Sequence, residues 1–203
     1  MSIMPISLSG EYAAEPAGPQ GVSFWPRVGA RLIDTVVHVL VGFLTGMLFT
    51  IMLVVASGGH IPRLVLLKLH HRSLTGFLFA ILGALAYNVI FTTVHGSTVG
   101  KRVLSMVVVQ EDGTPCRFKG AVIRELAYFV DALFFGLIAY VAMQGTDEQQ
   151  RHGDQWAHTL VCKRNALTPD KLRGGSRFAL ALVFALIADS ALIMTSLLLK
   201  IAG

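Results

Sequence analysis

Charge is scarce in this chain. Asp, Glu, Lys and Arg make up 14% of its 203 residues, against about 25% in soluble domains. That shortfall excludes an ordinary water-facing surface, and the mean hydropathy of +0.64 points to lipid as the solvent. Cysteine is nearly absent. Cys116 and Cys162 lie in polar connecting segments at a spacing that fits neither a disulfide scaffold nor a zinc motif, so two free thiols are expected. Residues 1–24 hold Glu11, Glu15, Pro16 and Pro19 and no apolar run. A cleaved signal peptide is not expected there, and the segment reads as a flexible tail. No nucleophile, base and orienting group stand together, so no enzyme is expected. No internal repeat is visible either.

What the chain does hold is long apolar runs. Thr35–Ala56 and Leu74–Val94 carry no formal charge, and Phe178–Leu199 is broken only by Asp189. About 20 residues at 1.5 Å rise cross a hydrocarbon core, so all three qualify as spans. Gly120–Met143 is different. It carries Arg124, Glu125 and Asp131 and is free of charge only from Ala132 onward, which reads as a re-entrant or interfacial helix.

Lysine and arginine orient the bundle. If Gly120–Met143 does not cross and the N-terminus is cytoplasmic, the inside holds the groups at 27, 31, 101, 102, 117, 119, 124, 151, 163, 164, 171, 173 and 177. Only Arg63, Lys68, Arg72 and Lys200 then lie outside. If the segment crosses, the split is nearly even and orients nothing. The excess of positive charge, +5 with a pI near 9.5, is thereby assigned to loops that meet anionic lipid. Nucleic acid is not expected as a partner, because no basic patch is interleaved with exposed aromatics.

The polar stretch His95–Lys119 contains a β-branched run, Val103–Val109, followed by Asp112-Gly113 turn chemistry and Pro115, which keeps a return strand short. Thr159–Cys162 is a second short apolar run able to pair with it. The expected architecture is an all-α membrane bundle of three to four transmembrane helices with a small cytoplasmic β element.

Several charges fall inside the helices. Arg27, Arg31, Asp34 and His38 follow steps of four, three and four and share one face, which Gly42 and Gly46 continue as a small-residue packing pattern. The arginines can snorkel to phosphates. A carboxylate inside a span costs about 2.5–3.5 kcal/mol and needs a partner; for Asp34 the nearest is Arg31. Arg124, Tyr128 and Asp131 repeat the spacing. Asp189 sits midway along an otherwise apolar helix whose small side is Ala181, Ala185, Ala188 and Ser196. It is expected to face protein, with Tyr87, Asn88, Tyr128 or another subunit as its donor. Asp34, Asp131 and Asp189 can converge on one polar cavity, where carboxylates exchange a proton for a cation. They can equally be structural pairs that pin the helices.

Three other patterns carry less. Gly96–Lys101 is one residue short of a phosphate loop and lacks the Ser/Thr after its lysine. His152, Asp154 and His158 have no fourth metal ligand in view, and His38 with His95 supports haem only by residue type. No metal and no cofactor are expected.

Taken in order, five segments resemble the RDD family of bacterial membrane proteins. They are Phe24–Asp34, with an arginine, then alanine, then aspartate; Gly96–Arg102; Val107–Val109 with Asp112-Gly113; Ala121–Arg124; and Gly153–Val161. Gly153 and Gln155 depart from the histidine and lysine usual around that last aspartate. The resemblance covers roughly Phe24–Lys163 and implies a domain over 25–165, with 1–24 as a tail and 166–203 as a linker and a final helix of its own. It implies a bacterial cytoplasmic membrane location. A transport role is implied too, with cation/proton antiport for some members, and Arg27 or Arg31, Asp34 and Asp154 as candidate functional residues. Two functions are therefore expected: an oligomeric transporter, or a non-catalytic accessory subunit packed against a larger membrane complex.

Overall fold

The computed structural model describes residues 19–59, 67 and 74–202. The tail expected over 1–24 lies largely outside them, but Gly21 and Val22 are placed: Gly21 bridges Cys162, and the Val22 amide donates to the Val161 carbonyl at 2.8 Å.

The elements, in order, are α1 (Phe24–Ala56), α2 (Leu74–Val94), α3 (Val99–Val103), β1 (Met106–Gln110), α4 (Phe118–Asp131), α5 (Leu133–Gln144), α6 (His152–Trp156), β2 (Thr159–Lys163) and α7 (Gly175–Ala202). Among the described residues, α1, α2 and the α7 region are long and apolar enough to cross a membrane. Their outward side chains, such as Val39, Phe43 and Leu48 on α1 or Phe184 and Ile187 on α7, are exposed and apolar. That is the surface hydrocarbon requires. At 33 residues, α1 starts at Phe24 rather than Thr35. It is about 50 Å long, so its charged first turns run well beyond an apolar core of about 30 Å.

Packing between α2 and α7 rests on Tyr87 and Phe91 against Ala181 and Ala185, so the alanine face expected on α7 is an interface within the bundle. The glycine pattern on α1 fares differently. A Cβ at Gly42 would only touch Ile193 at 3.9 Å, and one at Gly46 would meet nothing within 4 Å. The tight approach lies elsewhere, at Gly100, where a Cβ would come within 2.0 Å of the Ala30 carbonyl oxygen. The 96–102 loop is thus pressed onto α1.

β1 and β2 pair antiparallel, with Val108 opposite Val161. Val103 ends a helical turn instead of opening the strand. The sheet has a buried face on each side. Met106, Val108 and Val161 pack with Ala30 and Ala121, while Val107, Val109, Leu160 and Cys162 pack under Leu167 and Leu172. Cys116 and Cys162 are free and buried, in a core rather than in exposed connections.

Between the strands, α4 and α5 bend by 114°. Phe134, Phe135 and Gly136 adopt left-handed dihedrals at the bend. Because β1 precedes the pair and β2 follows it, strand pairing fixes both of its ends at the same sheet. A hydrogen bond from Gln150 Nε2 to Glu111 Oε1 at 3.1 Å adds to this. The pair therefore enters and leaves on one side, as a re-entrant segment does.

Candidate functional site

Where α1, α4, α5 and the 96–102 loop meet, they surround a cavity of about 390 Å³. Its charged lining is Arg27, Arg31, Asp34, Lys101, Arg124, Glu125, Asp131 and Arg151, and its apolar wall includes Leu32, Phe135 and Met143.

Asp154 anchors the cluster. It is fully buried, placed by the short helix α6, whose third residue it is. Arg27 binds its Oδ2 directly, Arg124 Nη1 approaches Oδ1 at 3.0 Å and Arg151 Nε at 3.6 Å. Burial alone would raise the Asp154 pKa; Arg124, Arg27 and Arg151 outweigh it and hold the carboxyl well below the usual range. Burial would also lower the Arg151 pKa, but Asp154, Glu125 and Asp131 keep that guanidinium charged.

The arginines of α1 do not snorkel. Arg27 also donates to the carbonyls of Val22 at 2.8 Å and Gln149 at 2.7 Å. Arg31 turns away from Asp34; it pairs with Glu125 at 3.4 Å and lies over the Tyr128 ring at 4.1 Å. Asp131 takes Arg151 at 3.6 Å, His152 at 3.4 Å and the Gly153 amide at 3.3 Å. A side chain at 153 would lie within 3.2 Å of Ala127, the Arg124 carbonyl and Asp131, so glycine lets α6 settle onto α4.

Asp34 has an uncharged cradle. Tyr87 donates to it at 2.9 Å, Thr98 at 2.7 Å and the Gly100 amide at 2.8 Å. The expected Arg31–Asp34 pair is replaced by these three neutral donors. The loop that looked like a phosphate binder thus folds around a carboxylate of its own chain.

Asp189 lies inside the bundle, as expected, but its partner is none of the donors named from the sequence. His38 Nδ1 sits 3.4 Å from its Oδ2, and the imidazole rests edge-on against Tyr87 with centroids 4.5 Å apart. Tyr128 belongs to the other cluster. Asp34 and Asp131 do share the cavity, while Asp189 stands outside its lining and reaches Asp34 only through His38 and Tyr87.

Sequence spacing missed Lys101, Glu125 and Arg151. Glu125 follows Arg124, and Arg151 precedes Asp154 by three, a one-turn step that was there to be read. Lys101 carries the most distinctive environment. Burial lowers its pKa to about 8, and Arg124 adds to the effect. Its ammonium has no hydrogen-bond or ion-pair partner among the described residues. Around the cavity, the cations Arg27, Arg31, Lys101, Arg124 and Arg151 outnumber the carboxylates Asp34, Glu125, Asp131 and Asp154 by one.

No three metal-ligating side chains cluster among the described residues. His158 lies out at the surface beside Glu111. His95 packs against Phe178, and its ring faces the Ser97 carbonyl and Arg102; burial pushes its pKa down to about 4. His38 and His95 thus serve separate contacts.

A polytopic helical membrane protein with a re-entrant pair, a two-stranded element and buried Arg–Asp pairs is the class defined by this fold and site. The chain belongs to the RDD family, whose model matches residues 22–158. No curated protein and no solved structure matches it.

Proposed function

We propose that this protein is a non-catalytic, proton-coupled transporter of the bacterial cytoplasmic membrane, with its N-terminus and β element in the cytoplasm. The observation that carries the reading is the line of groups from buried Asp189 through half-buried His38 to buried Tyr87 and Asp34. Asp189 and His38 each lie about 21 Å along their helices from the sheet end, at the 1.5 Å rise per residue. That is well inside a hydrocarbon core. Asp34 opens onto the cavity beside the sheet. Buried ionisable residues with partners on neighbouring helices mark proton relays. His38 Nε2, a buried atom without a hydrogen-bond partner among the described residues, is the free end that would hand a proton toward the Tyr87 hydroxyl. The hand-over needs a turn of the ring or one bridging water.

The orientation is supported by the lysine and arginine distribution, now joined by strand pairing that keeps 106–163 on one side. Three spans are few for alternating access, so the transporter is read as a homo-oligomer. Cation/proton exchange is one form of this activity.

The test is reconstitution of the purified chain in liposomes containing a pH-sensitive dye. An imposed salt gradient should move protons with the wild type and not with Asp189→Asn. Silence of the wild type under sodium, potassium and chloride gradients would overturn the reading.

The accessory-subunit reading has its own observation. The bend presents Phe134 and a fully exposed Phe135 at its tip, a rigid apolar point fit for another membrane protein. The mass of the detergent-purified particle separates the two: several copies of this chain, or one copy beside a larger protein.

A further inference from the structure

We propose that the cavity between α1, α4 and the 96–102 loop binds an anionic oxyacid group, phosphate or carboxylate, with Lys101 as its principal ligand. This goes beyond proton movement and does not depend on it.

Three observations converge. Each arginine around the cavity touches a carboxylate: Arg31 has Glu125, and Arg27, Arg124 and Arg151 share Asp154, with Arg151 also touching Asp131. Among the described residues, Lys101 is the cavity's one cation with no carboxylate in contact. Lys101 is half-buried; an ammonium drawn out of bulk water with no carboxylate in contact is costly, and one anionic charge beside it would balance the site. Second, Arg124 is buried and lines the cavity, yet its Nη2 is a buried donor with no hydrogen-bond partner among the described residues. Together with Lys101 it offers a planar guanidinium donor and a point charge, the pair that oxyanions accept. Third, the remaining wall is apolar. Leu32 and Phe135 continue it out to the exposed, lipid-facing surface, so a chain attached to the anion would have a place to lie. A lipid head group and a small soluble anion share the recognised chemistry.

Carboxylates do face Lys101. Asp34 from α1 and Glu125 from α4 favour its charge, while Arg124 and Arg151 oppose it. Asp34 already accepts three hydrogen bonds and Glu125 is engaged by Arg31, so neither acts as its direct partner.

The experiment uses the full chain in a neutral detergent. Dihexanoyl phosphatidic acid, dihexanoyl phosphatidylcholine and inorganic phosphate are titrated separately, and binding is read by thermal shift and calorimetry. Phosphatidic acid should bind at least about tenfold more tightly than phosphatidylcholine, the scale of one charge-assisted hydrogen bond. Lys101→Met should lose that margin and Lys101→Arg should keep it. If inorganic phosphate binds as tightly as phosphatidic acid, the anion is a soluble one; if it binds far more weakly, the anion is a lipid head group. Both support the site. Equal binding of the two lipids, or a Lys101→Met variant that binds like the wild type, overturns it. Should Lys101→Met fail to fold, the wild type decides. Acetylation of Lys101 by acetic anhydride, read by peptide mass, should be slowed by saturating phosphatidic acid or phosphate. An unchanged rate with both overturns the proposal.

Discussion

Asp189 occupies the space that a side chain at Gly83 would need: its Oδ1 lies 2.2 Å from where a Cβ on Gly83 would stand. The glycine of α2 is therefore what admits a carboxyl group from α7 into the bundle, toward His38 on α1. Gly83→Ala should displace Asp189 and lower stability by about 1–3 kcal/mol, the usual cost of overpacking. Adding Asp189→Ala should return part of that loss. Thermal melts of the two single variants and the double variant give the coupling; strictly additive losses would mean that the two residues do not share the site.

Asp154 is the residue whose loss should be felt most. Asp154→Asn leaves Arg27, Arg124 and Arg151 without their common counter-charge, and removing one partner of a buried ion pair costs about 3–5 kcal/mol. The pH dependence follows from its depressed pKa. The unfolded carboxyl takes a proton at its ordinary value, 3.8, where the folded one does not. Its stabilisation is thus complete above that value and is lost as pH falls toward the folded pKa. Melting temperature measured from pH 7 downward should drop steeply in the acid range for the wild type, and the variant should lack that component.

Asp34→Asn should behave quite differently. The amide keeps one acceptor oxygen for Tyr87 and the Gly100 amide, and Thr98 can rotate its hydroxyl to accept. We expect a folded, monodisperse protein that moves no protons. Asp34→Leu should instead strip three buried donors of their acceptor, at about 1–3 kcal/mol for each unsatisfied group. Equal abundance of the Leu and Asn variants would refute the cradle.

Lys101→Met should stabilise the ligand-free protein. Its pKa is depressed to about 8 by burial, so below that pH the fold holds a charge that water solvates better. The wild type should gain stability as pH rises from 8 toward the ordinary lysine value of 10.5. The variant should lack that component over the window and should melt higher at pH 7. A variant that melts lower at pH 7 would show that the ammonium is paired.

Accessibility from the two faces tests the topology. Asp112→Cys and His158→Cys sit at the exposed edge of the β element, while Ser57→Cys lies past the far end of α1. An impermeant maleimide applied outside whole cells should modify position 57 alone. Modification at 158 but not 112 would mean that α4 and α5 cross the membrane after all. Arg63, Lys68 and Arg72, expected on the outer side, lie outside the described residues.

Much of this protein was determined by its sequence alone. Spans show as runs of apolar residues longer than about 20, and hydrocarbon leaves those segments no stable state other than helix. The valine run at 107–109 and the Thr159–Cys162 run found each other because each is short, β-branched and bounded by turns. The re-entrant pair was legible as well, since charge within Gly120–Met143 and the lysine–arginine distribution both argued against a crossing. Partnership was not legible. Asp34, Arg31 and His38 share one helical face, yet the fold gives each a partner on a different element: the 96–102 loop and Tyr87 for Asp34, Glu125 for Arg31, Asp189 for His38. Spacing along a helix fixes which face a charge occupies. Which donor fills its coordination depends on the packing distance between elements far apart in the chain. That distance is set here by glycines, 83 and 100, whose close contacts exist only once the bundle has formed.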